Sequence, residues 1–161
     1  MKFGGTSVSD VDRIKNAASK ILIEVEKGFD VIVIVSAMAG ETNRLVSLVN
    51  SISPLYDARG YDAIVSSGEN ASAGLMALSL QNMGVSARSW QGWQVPLITN
   101  SAHGSARIME ITTQKLNEKF LEGMRVAVIA GFQGLTNDGR LSTLGRGGSD
   151  TTAVAFAAAF E

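Results

Sequence analysis

The chain has 161 residues, with 14 Lys plus Arg against 15 Asp plus Glu, one His, no Cys and 45% apolar residues. That is the size of one domain with apolar mass enough for a core, which excludes a disordered chain, and a net charge of −1 gives no general electrostatic reason to bind nucleic acid or an anionic membrane. Disulfides, Cys-ligated metals and multi-His metal centres are excluded by composition.

The first two or three residues read as the end of a short strand. Residues 10–27 then carry apolar side chains at helical spacing (Val11, Ile14, Ala18, Ile21, Leu22, Val25), with Ser9 as the expected N-cap and Gly28 as the stop. Asp30–Val35 (DVIVIV) is a continuous β-branched run, as expected of a strand buried on both faces. A helix is expected over 43–52 with Leu45, Val46, Leu48, Val49 and Ile52 inward, and another over 66–83 ended by Gly84. Short strands are expected at 85–89 and 96–99, and a helix at 112–121 followed by Gly123. Arg125–Ala130 (RVAVIA) is a second strand of the doubly buried kind. A Gly-rich loop is expected over 131–148, then a helix of small residues from Ser149.

Helices alternating with buried strands predict an α/β fold, a parallel sheet covered by helices. No apolar stretch reaches the ~18 residues that span a bilayer, and Lys2 is followed by Phe-Gly-Gly rather than the apolar run of a signal peptide. A cytoplasmic globular chain is therefore expected. Its two-to-three-residue first strand and its last helix both read as the edges of a fragment.

Gly accounts for 17 residues and Pro for 2, and the glycines cluster at Gly4-Gly5, at Gly131 and Gly134, and at Gly145, Gly147 and Gly148. In open α/β sheets ligands bind beyond the C-terminal ends of the strands. Three candidate loops sit there. Lys2-Phe3-Gly4-Gly5-Thr6-Ser7 offers backbone donors and one point charge for phosphate oxygens, or is a plain turn with a surface Lys. Ser36–Asn43 offers small hydroxyls for a carboxylate, or Thr42 simply caps the next helix. Thr143–Thr152 (TLGRGGSDTT) places the Arg146 fork between glycines and Ser149 at a helix N-terminus, which favours an anion site over a bare turn. Glu69, in the first turn of its helix, reads by itself as dipole chemistry. Met76 and Met83 read as core, Trp90 and Trp93 as packing between strands, and His103, in NSAHGSAR, as a surface histidine.

Taken in order, KFGGTSV at 2–8, SAMAGETNRL at 36–45, SSGE at 66–69, GFQG at 131–134 and TLGRGGSDTT at 143–152 resemble the aspartokinase branch of the amino acid kinase family. The SWQGWQVPLIT stretch at 89–99 adds weaker support. The likeness runs through the whole chain. It implies a three-layer αβα sandwich around a mainly parallel sheet, and transfer of the ATP γ-phosphoryl group, with Mg²⁺, to the β-carboxylate of L-aspartate. That step leads toward lysine, threonine and methionine. The resemblance assigns Lys2 to the transferred phosphate and Asp150 to orienting Lys2 or organising the phosphates. Gly4, Gly5, Thr6 and Ser7 join the phosphate contacts. It assigns Ser36, Thr42, Glu69, Phe132, Arg146 and Ser149 to the aspartate pocket, with Glu69 on the ammonium and Arg146 on a carboxylate.

No general base is needed, because the attacking carboxylate is already ionised at neutral pH. The resemblance names no protein ligand for Mg²⁺. It implies that residues 1–161 are the N-terminal portion of the catalytic domain, with the nucleotide-binding half and the regulatory ACT domains outside them. A homo-oligomer is expected for the full-length protein, and little kinase activity for these residues alone. A sibling kinase acting on another carboxylate, or a non-catalytic amino-acid-binding fragment, is the alternative.

Overall fold

The computed structural model describes residues 1–160. Four strands form a wholly parallel sheet in the order β1 (Lys2–Phe3), β2 (Val31–Val35), β6 (Val126–Ala130), β3 (Ala87–Trp90). The two β-branched runs are its centre: β2 pairs with β6 from Val31↔Val126 to Val35↔Ala130, and every residue of β6 is buried.

Alternation of side chains divides this sheet between two cores. On one face Val33, Val35, Val126 and Val128 pack with Ile14, Ala18 and Ile21 of α1 (Val11–Glu26) and with Ala73, Met76 and Leu80 of α4 (Ser67–Asn82). On the other face Ile34, Ala127 and Ile129 meet Leu116 of α5 (Gln114–Leu121) and Phe156 of α6 (Gly148–Ala159). Helices therefore cover both faces, as the sequence predicts. No helix among the described residues is long and apolar enough to cross a membrane.

A second, mixed sheet was not expected. Its order is β5 (Ile108–Ile111), β4 (Leu97–Thr99), β7 (Gln133–Thr136), β8 (Leu141–Thr143), with only the β4–β7 pairing parallel. The loop predicted over 131–148 thus contains a hairpin, closed where the Thr136 N–H donates to the Arg140 carbonyl at 2.9 Å and Gly139 takes φ +78°.

Two helices complete the fold, α2 (Glu41–Ile52) and α3 (Ala58–Val65). The second escaped the sequence reading because its buried face consists of Asp62 and Val65, a polar residue standing where the pattern demands an apolar one. In α2 only Leu45 and Val49 are buried, while Leu48 and Ile52 face solvent. The cap of α1 is Asp10 rather than Ser9: its carboxylate accepts the Arg13 N–H at 2.9 Å, and Ser9 Oγ donates to that same carboxylate. The cap of α2 is Gly40 at φ +82°, which leaves Thr42 free of capping duty. Trp90 is buried, whereas Trp93 remains 47% exposed.

Candidate active site

The C-terminal ends of β1, β2 and β6 open onto one cavity of about 320 Å³. Lys2 and Gly5 line it from the first loop, Ser36–Gly40 and Thr42 from the second, Glu69 from α4, and Phe132 with Gly147–Asp150 from the third. Segments dispersed through the sequence meet here because parallel strands all point the same end at the same crevice.

Glycine makes the convergence possible. A Cβ on Gly5 would stand 2.9 Å from the Ala37 carbonyl oxygen, and one on Gly148 would stand 2.6 Å from the Phe132 ring. The first glycine lets the opening loop lie on the loop after β2. The second lets α6 start against Phe132.

The charged groups are arranged in two layers. At the mouth Lys2 Nζ lies 2.8 Å from Asp150 Oδ1, the Lys side chain 29% and the Asp side chain 72% exposed. Deeper in, Glu69 is buried, and its Oε1 accepts the Ala37 N–H at 3.2 Å while Oε2 has no hydrogen-bond partner. Loss of hydration raises the pKa of this carboxyl to about 7, against the smaller lowering effect of the backbone N–H bonds. A buried carboxylate oxygen with no donor is costly, so Oε2 is open to a proton or to a cationic donor that enters the cavity. The first N–H groups of α6 have no acceptor within the helix and face the same cavity at Gly148, Ser149 and Asp150. A cation, a helix N-terminus and a recessed carboxyl suit a ligand that carries both anionic oxygens and an amine.

Phe132 sits between these groups in an unusual conformation. It is the one non-Gly residue with positive φ among those described, at +70°. Its N–H donates to Thr152 Oγ1 at 3.1 Å, and its carbonyl accepts the Leu144 N–H at 2.8 Å. A bulky residue keeps such a backbone only when its surroundings hold it there, and these two bonds do so.

Of the residues singled out by sequence, the cavity gathers Lys2, Gly5, Ser36, Thr42, Glu69, Phe132, Ser149 and Asp150. Gly4 adjoins it, the place of its absent Cβ lying 3.4 Å from Lys2 Nζ. Thr6 and Ser7 are exposed on the 3-10 turn that comes next, outside the lining, where the Thr6 carbonyl accepts Arg13 Nη1. Arg146 is exposed and borders an adjoining cavity of about 760 Å³, which Asp150 shares. The Ala37 N–H and the Thr152 hydroxyl are partners the sequence did not disclose, since a backbone donor and a mid-helix Thr carry no pattern. His103 is not a surface histidine: its side chain is 9% exposed and Nδ1 lies 2.7 Å from Asp62 Oδ2.

No group of three His, Cys, Asp or Glu side chains among the described residues could hold a metal ion. The donor set fits a cation delivered on phosphate oxygens, with Asp150 the carboxylate at the mouth.

Residues 1–161 match the model of the amino acid kinase family over their whole length. The chain is 48% identical to the aspartokinase of Geobacillus stearothermophilus over 160 residues, covering 99% of itself and 39% of that protein. It is 42% identical to the aspartate kinase from Synechocystis, with a TM-score of 0.82 over 99% of this chain and 26% of that one. The E. coli aspartokinase III structure in complex with aspartate and ADP superposes with a TM-score of 0.82 at 27% identity, over 99% of this chain and 46% of that one. The chain spans about 40% of the length of the curated relatives it matches.

Proposed function

The chain belongs to the amino acid kinase family, and from that premise we propose that the protein carrying it is a cytoplasmic aspartokinase, whose acceptor pocket and phosphate loops lie in residues 1–161. The observation that carries this reading is the pairing of a recessed, unsatisfied Glu69 carboxyl with the Lys2–Asp150 ion pair across one small cavity. Near relatives named aspartokinase, and the aspartate and ADP in the complex of one of them, supply the substrate class.

In this reading the Glu69 carboxylate takes the ammonium of L-aspartate, and Ser36, Thr42, Phe132 and Ser149 surround its body. Lys2 Nζ, the N–H groups of Gly4 and Gly5 and the N-terminus of α6 neutralise the transferred phosphoryl group. Thr6 and Ser7 extend the same loop toward the nucleotide. A lone pair of the β-carboxylate forms the new bond to the γ-phosphorus. The bond to the β–γ bridging oxygen breaks, and its electron pair leaves with ADP. No proton is transferred, so positioning and charge neutralisation are the whole task of the protein. Mg²⁺, when bound with the nucleotide, would supply further neutralisation, with Asp150 the carboxylate nearest to it at the cavity mouth. Asp150 holds Lys2 in place before the phosphates arrive. Arg146 is assigned to a substrate carboxylate, which it reaches by movement of its loop, where Gly145 and Gly147 meet no neighbouring side chain. In this reading the nucleotide-binding half and the ACT regulatory domains lie outside residues 1–161, and the full-length protein is a homo-oligomer.

Coupled ADP release by the protein carrying this chain tests the reading. ADP release that depends on L-aspartate and not on L-glutamate is the expected result. Equal turnover with glutamate moves the protein to a sibling kinase, and saturable aspartate binding without any turnover makes it a binding module.

A further inference from the structure

Two carboxylates are buried among the described residues, Glu69 in the cavity and Asp62 on α3, outside its lining. Asp62 is fully buried and completely bonded. Its Oδ1 accepts the Thr143 hydroxyl at 2.5 Å and the Gly104 N–H at 3.0 Å, and Oδ2 lies 2.7 Å from His103 Nδ1. A carboxyl group reaches full burial only when hydrogen bonds replace its hydration, as these do.

The donors come from two segments. His103 and Gly104 belong to the connection between β4 and β5, and Thr143 is the last residue of β8. The two segments are also joined directly, the Thr143 carbonyl accepting the Ala106 N–H at 2.9 Å. Thr143 leads into the loop that carries Arg146 and delivers Ser149 and Asp150 to the cavity. That loop has little to hold it midway. Positions 145 and 147 are glycines with open space around them, the second at φ +73°, and Arg146 is exposed. Its course is therefore set at its two ends: where it leaves β8, by Thr143 on Asp62 and by the Leu144 N–H on the Phe132 carbonyl, and where it enters α6, by Gly148 against Phe132.

We propose that Asp62 is a positioning residue for the 144–150 loop, acting through the Thr143 hydroxyl and held in orientation by His103 and Gly104, and that it thereby tunes affinity for the amino acid acceptor without touching it. The kinetic consequence rests on the aspartokinase reading; the ordering of the loop does not.

The test uses Thr143→Val, which removes the hydroxyl at nearly constant volume, and Thr143→Ser, which restores it. Asp62→Asn is the secondary variant, since it puts an amide donor in place of one accepting oxygen of a buried, fully bonded group and risks misfolding. Hydrogen–deuterium exchange of the 144–150 segment is expected to quicken about tenfold in Thr143→Val, with α1 unchanged and Thr143→Ser like the parent. In the protein carrying this chain, the KM for aspartate is expected to rise about tenfold and kcat to fall by less, because Arg146 lies midway along the loop whereas Gly148 and Asp150 keep their contacts with Phe132 and Lys2. Unchanged exchange in a folded Thr143→Val variant overturns the proposal, as does an equal loss in Thr143→Ser. A parent protein without aspartate-dependent turnover removes the functional reading alone, and the exchange comparison still decides the clamp.

Discussion

Lys2 and Asp150, near opposite ends of the chain, meet as an ion pair at 2.8 Å across the mouth of the cavity. Lys2 leaves the edge strand of the parallel sheet and Asp150 stands in the first turn of α6, so the contact joins the first loop to the last. With the Asp side chain 72% exposed, water screens the pair and it adds little stability. Its geometry instead holds a flexible cation over the cavity mouth, where the aspartokinase reading places the phosphate oxygens.

Replacing Lys2 by Met is therefore expected to leave folding stability within about 1 kcal/mol of the parent. Under the aspartokinase reading, it lowers kcat by about 10²–10³-fold, the cost of removing one preorganised charge from a transition state. Asp150→Asn should fall between parent and Lys2→Met. Thermal denaturation and ADP release measured on the same samples separate the two effects, and a large stability loss with normal turnover would contradict this role for the pair.

Glu69 provides a pH signature. Its carboxyl is raised from the ordinary value of 4.5 to about 7 by burial, so between those values the folded state holds a proton that the unfolded state has lost. Ionisation of Glu69 hence opposes folding: its penalty is absent below about pH 4.5, grows as pH rises toward 7 and is complete above, at roughly 3 kcal/mol. Binding of an ammonium group runs the other way, because it needs the ionised form. Calorimetric titration is expected to show aspartate affinity rising from pH 5.5 to 8, and Glu69→Gln should bind more weakly with that slope removed. An affinity that declines over this interval would dissociate Glu69 from the ammonium.

Gly5→Ala tests the packing of the two loops. The added methyl would lie 2.9 Å from the Ala37 carbonyl oxygen, a backbone atom that cannot turn aside. The expected cost is about 1–3 kcal/mol of stability, typical of overpacking, with nucleotide phosphate binding weakened in the protein carrying the chain. A variant as stable as the parent would show that the loops separate more readily than their packing implies.

Thr152→Val probes the conformation of Phe132. The substitution keeps the shape of a buried side chain and removes the acceptor of the Phe132 N–H. About 1–3 kcal/mol of destabilisation is expected from leaving that donor unpaired. Relaxation of the backbone at Phe132 should broaden or shift its ring resonances, and an unperturbed ring would mean that φ +70° is held by other contacts.

The elements legible in the sequence are those whose own residues suffice to define them. DVIVIV and RVAVIA announce doubly buried strands because β-branched side chains fill both faces of a sheet. The period of α1 and the glycine that ends it mark an amphipathic helix. In the mixed sheet β4 stands where a strand was expected at 96–99, but QGLT and LST offer no such run; they are strands because partners exist to pair with. Gly134 is required by neighbours, since a Cβ there would lie 2.5 Å from Thr99 Cγ2. The tip Asn137-Asp138-Gly139 was the available turn signal for the hairpin.

The sequence alone determined the α/β class, the two central strands and the loops able to approach a ligand, because hydrophobic period and glycine placement act over a few residues. Tertiary structure decided what those loops do to one another. Only burial among distant segments gives Glu69 a pKa near 7, and only the meeting of α3 with β8 places Asp62 beneath Thr143 and takes His103 out of solvent. Such properties belong to an environment rather than to a residue: desolvation and hydrogen bonding depend on neighbours that chain order does not specify.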